Sequence, residues 1–358
     1  MARRPRNPFP SRSFQRTLGV WTRTALRVGS RAVTQALRSA PGAAKNGAGE
    51  RALARKRVSA RKQAAKSTLA LAGKWSSGLA VGAAGARRYR LFEPPGLSRN
   101  ERLPLLVMLH GCGQDAQELA ASSRMNRVAA RARFLVLYPE QDRLSNAQRC
   151  WNWYDTRSGR AQGEASVIEV AITQVCLRHG ADPRRIALAG LSAGASMAAL
   201  LATRHPERFC AVVMHSGVAP GVAHSSATAL GAMRGRRSAV PLGPLAAGTR
   251  LPPLLVIHGS ADPIVAPGNA VLAASQWAAC AGATAGAPRT VQRGARYTAT
   301  LTDYHTPERR VATVCMVNGL GHAWSGGADH HAYSDPRGPD ASRMIRAFVA
   351  KQFAGDAA

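Results

Sequence analysis

Three short stretches of the chain carry, in order, the residue types needed for nucleophilic acyl transfer. The first is Gly190-Leu191-Ser192-Ala193-Gly194. The apolar run Arg185-Ile186-Ala187-Leu188-Ala189 before it reads as a buried strand, and Ala195 to Ala202 after it reads as a helix. A Gly-x-Ser-x-Gly at a strand-to-helix turn is a nucleophile elbow. The serine sits on a strained turn with its hydroxyl projecting from the sheet. The glycines two before and two after it leave room where a Cβ would clash. The pentapeptide alone could be a simple small-residue turn; the flanking elements and two further motifs argue for the elbow. A serine nucleophile needs a base, and the base needs an orienting acid. Asp262, in His258-Gly259-Ser260-Ala261-Asp262-Pro263, directly follows an apolar strand and is the candidate acid. Asp303 and Asp335 are rivals without such a strand. His322, in Gly319-Leu320-Gly321-His322-Ala323-Trp324, is the candidate base, with glycines that let its ring reach back over the sheet. His215 and His258 end strands and read as structural, whereas His330 and His331 lie in a polar loop as surface residues or chance metal ligands.

The oxyanion formed during acyl transfer needs two aligned backbone N–H donors. Ala193, just after the nucleophile, is the first candidate. The second is Cys112, in the glycine turn His110-Gly111-Cys112-Gly113-Gln114. The densest aromatic cluster is Cys150-Trp151-Asn152-Trp153-Tyr154, which would either wall an acyl pocket or plug the edge of the core. No cofactor or metal is expected for this chemistry.

These motifs must be positioned by a larger frame. Strands are predicted at 103–110, 134–138, 185–189, 210–215, 254–258 and 311–317. Helices are predicted at 164–179, 195–202, 268–280 and 339–353. Short apolar strands alternating with helices predict an α/β fold with a doubly wound, mostly parallel sheet. Ligands of such sheets bind at the carboxyl ends of the strands, where every motif above falls. Residues 217–248 are rich in Gly, Ala, Ser and Pro with little periodicity, and read as a lid or a disordered loop.

Charge divides the chain differently. It has 358 residues and a net charge of +30. Residues 1–90 hold 21 Lys and Arg against one acid, Glu50, so two thirds of the excess lies in the first quarter. Within 1–40, Phe14, Leu18, Trp21, Ala25, Val28 and Ala32 fall within roughly 80° of one helix face. Arg16, Arg23, Arg27 and Arg31 lie opposite. That pattern predicts a basic amphipathic helix at 1–40 that lies in an interface or packs on the catalytic domain. Residues 41–87 read as an Ala, Gly, Lys and Arg-rich linker, able to bind nucleic acid non-specifically at low salt. Residues 88–355 form the catalytic domain. No transmembrane segment is expected, because no apolar run approaches eighteen residues. Arg residues also interrupt any signal-peptide core, so the expected location is cytoplasmic, or extracellular if the true start differs. The six cysteines include no Cys-x-x-Cys pair, and single buried thiols are expected.

Taken together, the His110–Gln114, Cys150–Trp153, Gly190–Gly194, Gly259–Asp262 and Gly319–Trp324 motifs resemble the esterase family of polyhydroxybutyrate (PHB) depolymerases. The resemblance covers about residues 88–353. It implies an α/β-hydrolase fold, with Ser192 as nucleophile, Asp262 as acid, His322 as base and the Cys112 amide in the oxyanion hole. It also implies that Trp151 or Trp153 touches the polymer, and Trp324 is a third candidate for substrate binding. The basic N-terminus and the missing substrate-binding domain look most like the intracellular depolymerases with a type I catalytic domain, which act on bacterial storage granules. Because the family also holds feruloyl and acetylxylan esterases, two readings stand. One is a PHB depolymerase bound through residues 12–38 to an anionic, hydrophobic granule surface. The other is a soluble carboxylesterase of small or phenolic esters.

Overall fold

The computed structural model describes residues 73–98, 100–238, 241–242 and 249–354. The amphipathic helix expected at 1–40, and the linker as far as residue 72, lie outside the described residues. The described chain begins with a hairpin, β1 (Lys74–Gly82) and β2 (Gly85–Glu93). Then follow β3 (Leu103–Leu109), α1 (Ala116–Ser123), α2 (Met125–Ala132), β4 (Leu135–Pro139), α3 (Arg160–Arg178), β5 (Ala181–Leu191), α4 (Ala193–Arg204) and β6 (Ala211–His215). The second half holds α5 (Ser226–Met233), β7 (Leu254–Gly259), α6 (Gly268–Ala281), β8 (Thr284–Ala285), β9 (Arg289–Val291), β10 (Ala299–His305) and β11 (Arg310–Val317). Short strands β12 (Trp324–Ser325) and β13 (Ser334–Asp335) precede the last helix, α7 (Ala341–Ala354).

The main sheet runs in the order β1-β2-β4-β3-β5-β6-β7-β11-β10-β8, with β9 also on β10. Its centre, β4-β3-β5-β6-β7-β11, is parallel throughout. Strands buried on both faces read as continuous apolar runs, and Leu103-Pro104-Leu105-Leu106-Val107-Met108-Leu109 is one. Helices α3, α4 and α6 cover one face. Helices α1, α2 and α7 cover the other. β5 feeds both cores by alternation, Ile186 and Leu188 to the first and Ala187, Ala189 and Leu191 to the second.

The architecture is the expected one, with differences at its edges. Residues 74–87, assigned to the linker, instead form most of the β1–β2 hairpin, which pairs antiparallel to β4 through β2. β1 escaped notice because its Ser, Gly and Ala residues dilute the alternation. On the far edge, β10 and the short β8 and β9 are antiparallel additions. Within 217–248, α5 starts at a capping box in which Ser225 and Thr228 bond each other's backbone N–H.

The backbones of β5, α4 and β3 cross closely. A Cβ on Gly194 would stand 2.1 Å from the Leu109 carbonyl oxygen, and one on Gly190 would stand 2.3 Å from the Gly194 carbonyl carbon. These neighbours are backbone atoms that cannot swing away. Gly194→Ala should therefore destabilise the fold by roughly 1–3 kcal/mol or more, as overpacking does. Urea unfolding of the variant checks this, and an unchanged midpoint would mean that the crossing is looser than it stands.

Candidate active site

Ser192 forms the bend between β5 and α4. Its φ of 56° and ψ of −120° are strained for a residue with a Cβ. Hydrogen bonds on both sides hold the bend. The Ser192 N–H donates to the His215 carbonyl at 2.8 Å, and the Ser192 carbonyl accepts from Ala195 and Ser196 N–H at 3.0 and 3.1 Å.

Asp262 and His322, the candidate acid and base, stand on neighbouring loops. Asp262 follows β7, and its Oδ1 accepts from the Ile264 and Val265 amides, both at 2.9 Å. Its Oδ2 accepts from His322 Nδ1 at 2.8 Å. His258 adds a second imidazole, with Nε2 3.4 Å from the same oxygen and 2.9 Å from the Val265 carbonyl. Burial alone would raise the Asp262 pKa. Hydrogen bonds and charge from His258 and His322 outweigh it, and hold the carboxyl far below the usual carboxylate range. The two loops are stitched together. Ala261 N–H donates to the Leu320 carbonyl at 3.1 Å, and Gly319 N–H to Ser260 Oγ at 3.0 Å. Gly259 is required here, since a Cβ would meet the Leu320 oxygen at 2.1 Å. Because Nδ1 of His322 is taken by Asp262, Nε2 is the nitrogen left for chemistry. Ser192 and His322 line the same cleft without a mutual hydrogen bond among the described contacts. Such bonds are often long until substrate is bound.

The loop after β3 lies against the elbow. A Cβ on Gly111 would be 3.5 Å from Ser192 Cβ. Gly111 N–H donates to Gln114 Oε1 at 3.1 Å, and Gly113 N–H to the Gln148 carbonyl at 2.8 Å. Cys112 and Cys150 form a disulfide, tying this loop to the one after β4. This corrects the expectation of six single thiols. The signal was absent from the sequence because 38 residues separate the partners and six cysteines allow fifteen pairings. Among the described residues Cys176, Cys210, Cys280 and Cys315 lie outside this disulfide, with Cys176 and Cys315 buried. Ala193 is the first residue of α4, so its N–H has no intrahelical acceptor and lies at the positive end of the helix.

The cleft encloses about 720 Å³ including its mouth. Beyond Ser192, His322, Cys112 and Ala193, its walls are Trp153, Tyr154, Val218, Met233, Ile264 and Tyr333, with Ala229 beside Met233 on α5. The three tryptophans expected to bind substrate part company. Trp153 lines the cleft. Trp151 does not; it is fully buried with its ring 5.5 Å from that of His110. Trp324 is also fully buried, stacked on His215 at 5.1 Å with its Nε1–H on Ser342 Oγ. Both belong to the packing beneath the site, where each large ring is buried against the imidazole of a buried histidine. Sequence reasoning gave no role to Gln114, Val218, Ala229, Met233 or Tyr333. The capping box at Ser225 was the available signal for the α5 wall. Among the described residues no group of three His, Cys, Asp or Glu side chains could hold a metal.

Residues 87–296 match the family described as Esterase PHB depolymerase, well over half of the chain. The chain belongs to that family. Ser192 and Asp262 fall inside the matched stretch and His322 beyond it. The chain is 34% identical over 192 residues to poly(3-hydroxyalkanoate) depolymerase C of Paucimonas lemoignei, an alignment covering 49% of this chain and 44% of that protein. It is 29% identical over 202 residues to feruloyl esterase B of Thermothelomyces thermophilus, covering 52% and 68%. The depolymerase is thus matched over less than half of its own length. Among solved structures, acetyl xylan esterase from Aspergillus awamori superposes with a TM-score of 0.55 at 20% identity, over 69% of this chain and 94% of that one. An S-formylglutathione hydrolase from Agrobacterium tumefaciens gives 0.51 at 19%, over 80% and 96%. These two likenesses establish the α/β-hydrolase fold.

Replacing Ser192 by Ala should lower ester turnover by about 10⁶ in rate with the fold retained, since Ala preserves the turn. His322→Ala and Asp262→Asn should both be severely impaired, and the double variant little worse than His322→Ala, because residues acting as a unit give non-additive losses. Steady-state kinetics on a short p-nitrophenyl ester reads both. Full additivity, or turnover surviving in Ser192→Ala, would reassign the site.

Proposed function

We propose that the protein is a serine esterase working through a Ser192–His322–Asp262 triad and an acyl-enzyme, with a poly(3-hydroxybutyrate)-type polyester as its substrate. The observation that carries this reading is the His322–Asp262 pair opening into the same cleft as the strained Ser192. His322 Nε2 takes the Ser192 proton as Oγ attacks the ester carbonyl. Ionised Asp262 holds the ring in the tautomer that leaves Nε2 free and stabilises the imidazolium that forms. The Cys112 and Ala193 amides receive the oxyanion. His322 then protonates the departing alcohol. Water, deprotonated by the same nitrogen, releases the acid from Ser192.

Among the described residues the cleft wall has no Asp, Glu, Lys or Arg, and its apolar and aromatic side chains suit a neutral acyl chain. The similarity to the depolymerase favours a hydroxyalkanoate polyester. The similarity to feruloyl and acetylxylan esterases supports the second reading, a soluble carboxylesterase of that type.

The edge hairpin supports action on a particle. Trp75, Leu79 and Val81 share one face of β1 and are 41%, 52% and 63% exposed. Arg88 and Arg90 on β2 lie opposite Leu79 and Ser77. Apolar side chains interleaved with Arg suit an anionic, hydrophobic surface. The 73 residues before the hairpin add 17 Lys and Arg against one acid. No helix among the described residues is long and apolar enough to cross a membrane. The disulfide at the cleft suits an oxidising compartment, which favours a particle outside the cytoplasm over the cytoplasmic storage granule first expected.

Deleting residues 1–72 leaves the hairpin intact and should spare hydrolysis of soluble short esters while weakening binding to amorphous polymer particles. Leu79→Ser with Val81→Ser should weaken particle binding further, with little dependence on salt. Co-sedimentation with particles measures both. Equal sedimentation of all forms would favour the soluble carboxylesterase, and capture by DNA rather than particles would make the basic segment a nucleic-acid arm.

A further inference from the structure

A buried polar cluster connects α3 to the loop that carries the Cys112 amide. Glu164 on α3 is all but inaccessible, yet it accepts from four donors. These are Gln141 Nε2 at 2.7 Å, Asn152 N at 2.8 Å, Asn152 Nδ2 at 2.5 Å and Arg87 Nη2 at 3.3 Å. Arg87 is buried too, and pairs through Nη1 with Asp142 at 3.1 Å. A buried carboxylate with this many partners is a fixed point, since removing it would leave several donors unpaired.

From that point two arms reach the oxyanion loop. In the first, Gln141 is held by Glu164, and its backbone N–H donates to His110 Nε2 at 3.0 Å. His110 is fully buried, and burial lowers its pKa to about 4, so the ring is neutral near pH 7. With Nε2 accepting, the hydrogen sits on Nδ1, which donates to the Gly111 carbonyl at 2.8 Å. In a trans peptide the carbonyl and the following N–H point in opposite directions. Anchoring the Gly111 carbonyl on the buried ring therefore turns the Cys112 N–H the other way. Gly111 and Cys112 line the cleft while His110 does not, so that way is toward the cleft. In the second arm, Glu164 holds Asn152, Gln141 Nε2 donates to the Cys150 carbonyl at 3.0 Å, and Cys150 is bonded to Cys112.

We infer that His110 and Glu164 are positioning residues, which hold the Gly111–Cys112 peptide so that its N–H faces the developing oxyanion. This rests on the serine-esterase reading above. Neither residue touches the substrate.

The full-length protein would be assayed on a p-nitrophenyl ester and on its thionoester, whose C=S accepts hydrogen bonds poorly. His110→Leu removes the donor to Gly111. Misplacing one oxyanion donor should lower kcat about 10- to 100-fold. KM should change little, and the oxo-to-thiono rate ratio should fall. His110→Asn puts an amide N–H where Nδ1 stands and should restore most of the rate and the ratio. Glu164→Gln should act in the same direction as His110→Leu. Asn152→Ala, which keeps the backbone donor to Glu164, should show a milder form of the same pattern should Glu164→Gln not fold. A fall in kcat with the wild-type oxo-to-thiono ratio retained would overturn the inference, as would unchanged kcat in His110→Leu. The esterase reading fails separately, if the wild-type protein has no turnover or Ser192→Ala keeps it.

Discussion

At Gly194 the start of α4 touches the end of β3, with the Leu109 carbonyl oxygen where a Cβ would have to be. The rest of the site depends on that contact. It forces the chain to turn within a few residues of β5, which leaves Ser192 at a positive φ. It also brings the loop after β3 beside the start of α4, where a Cβ on Gly111 would lie 3.5 Å from Ser192 Cβ. The strained serine persists because the surrounding sheet over-determines it. Its N–H is bound by the end of β6, its carbonyl by the first turn of α4, and its neighbours by the packed strands.

Around this crossing, three loops at the carboxyl edge of the sheet are fixed by different means. The acid loop is fixed by backbone donors to Asp262 and by the His258 ring beneath it. The base loop is fixed by the backbone of the acid loop and by Trp324 packed under it. The loop after β3, proposed to carry an oxyanion donor, is fixed by His110, Gln114 and the disulfide. His110 and His215 serve as neutral struts. Burial lowers their pKa values to about 4 and about 3, and each accepts a backbone N–H, from Gln141 and Ser325 respectively. His322 differs from them in having an ionised carboxylate at one nitrogen and the cleft at the other.

The sequence made the centre of the molecule legible and its margins less so. Strands such as Leu103–Leu109 and Leu254–Gly259 are buried on both faces, and continuous apolar runs reveal them. Ser192, Asp262 and His322 stand out as candidates because each sits in a glycine-containing turn that follows such a strand. β1 was not, since a half-exposed edge strand of Ser, Gly and Ala carries weak alternation. The Cys112–Cys150 bridge and the Glu164 cluster join residues that meet only in three dimensions. Trp151 and Trp324 misled for a related reason, because an aromatic motif beside a catalytic one does not say which face of the loop turns inward. Packing decides that: Trp151 turns toward His110, Trp153 toward the cleft, and Trp324 toward His215.

We propose that Ser192 supplies the attacking oxygen and that the strained turn between β5 and α4 makes it more reactive than the other serines. Covalent trapping tests it most directly. The native protein, treated with a fluorophosphonate and digested, should yield one modified peptide, bearing the phosphonyl group on Ser192, with modification blocked in His322→Ala. A phosphonyl group on another serine, or an active enzyme that resists the reagent, would contradict the account.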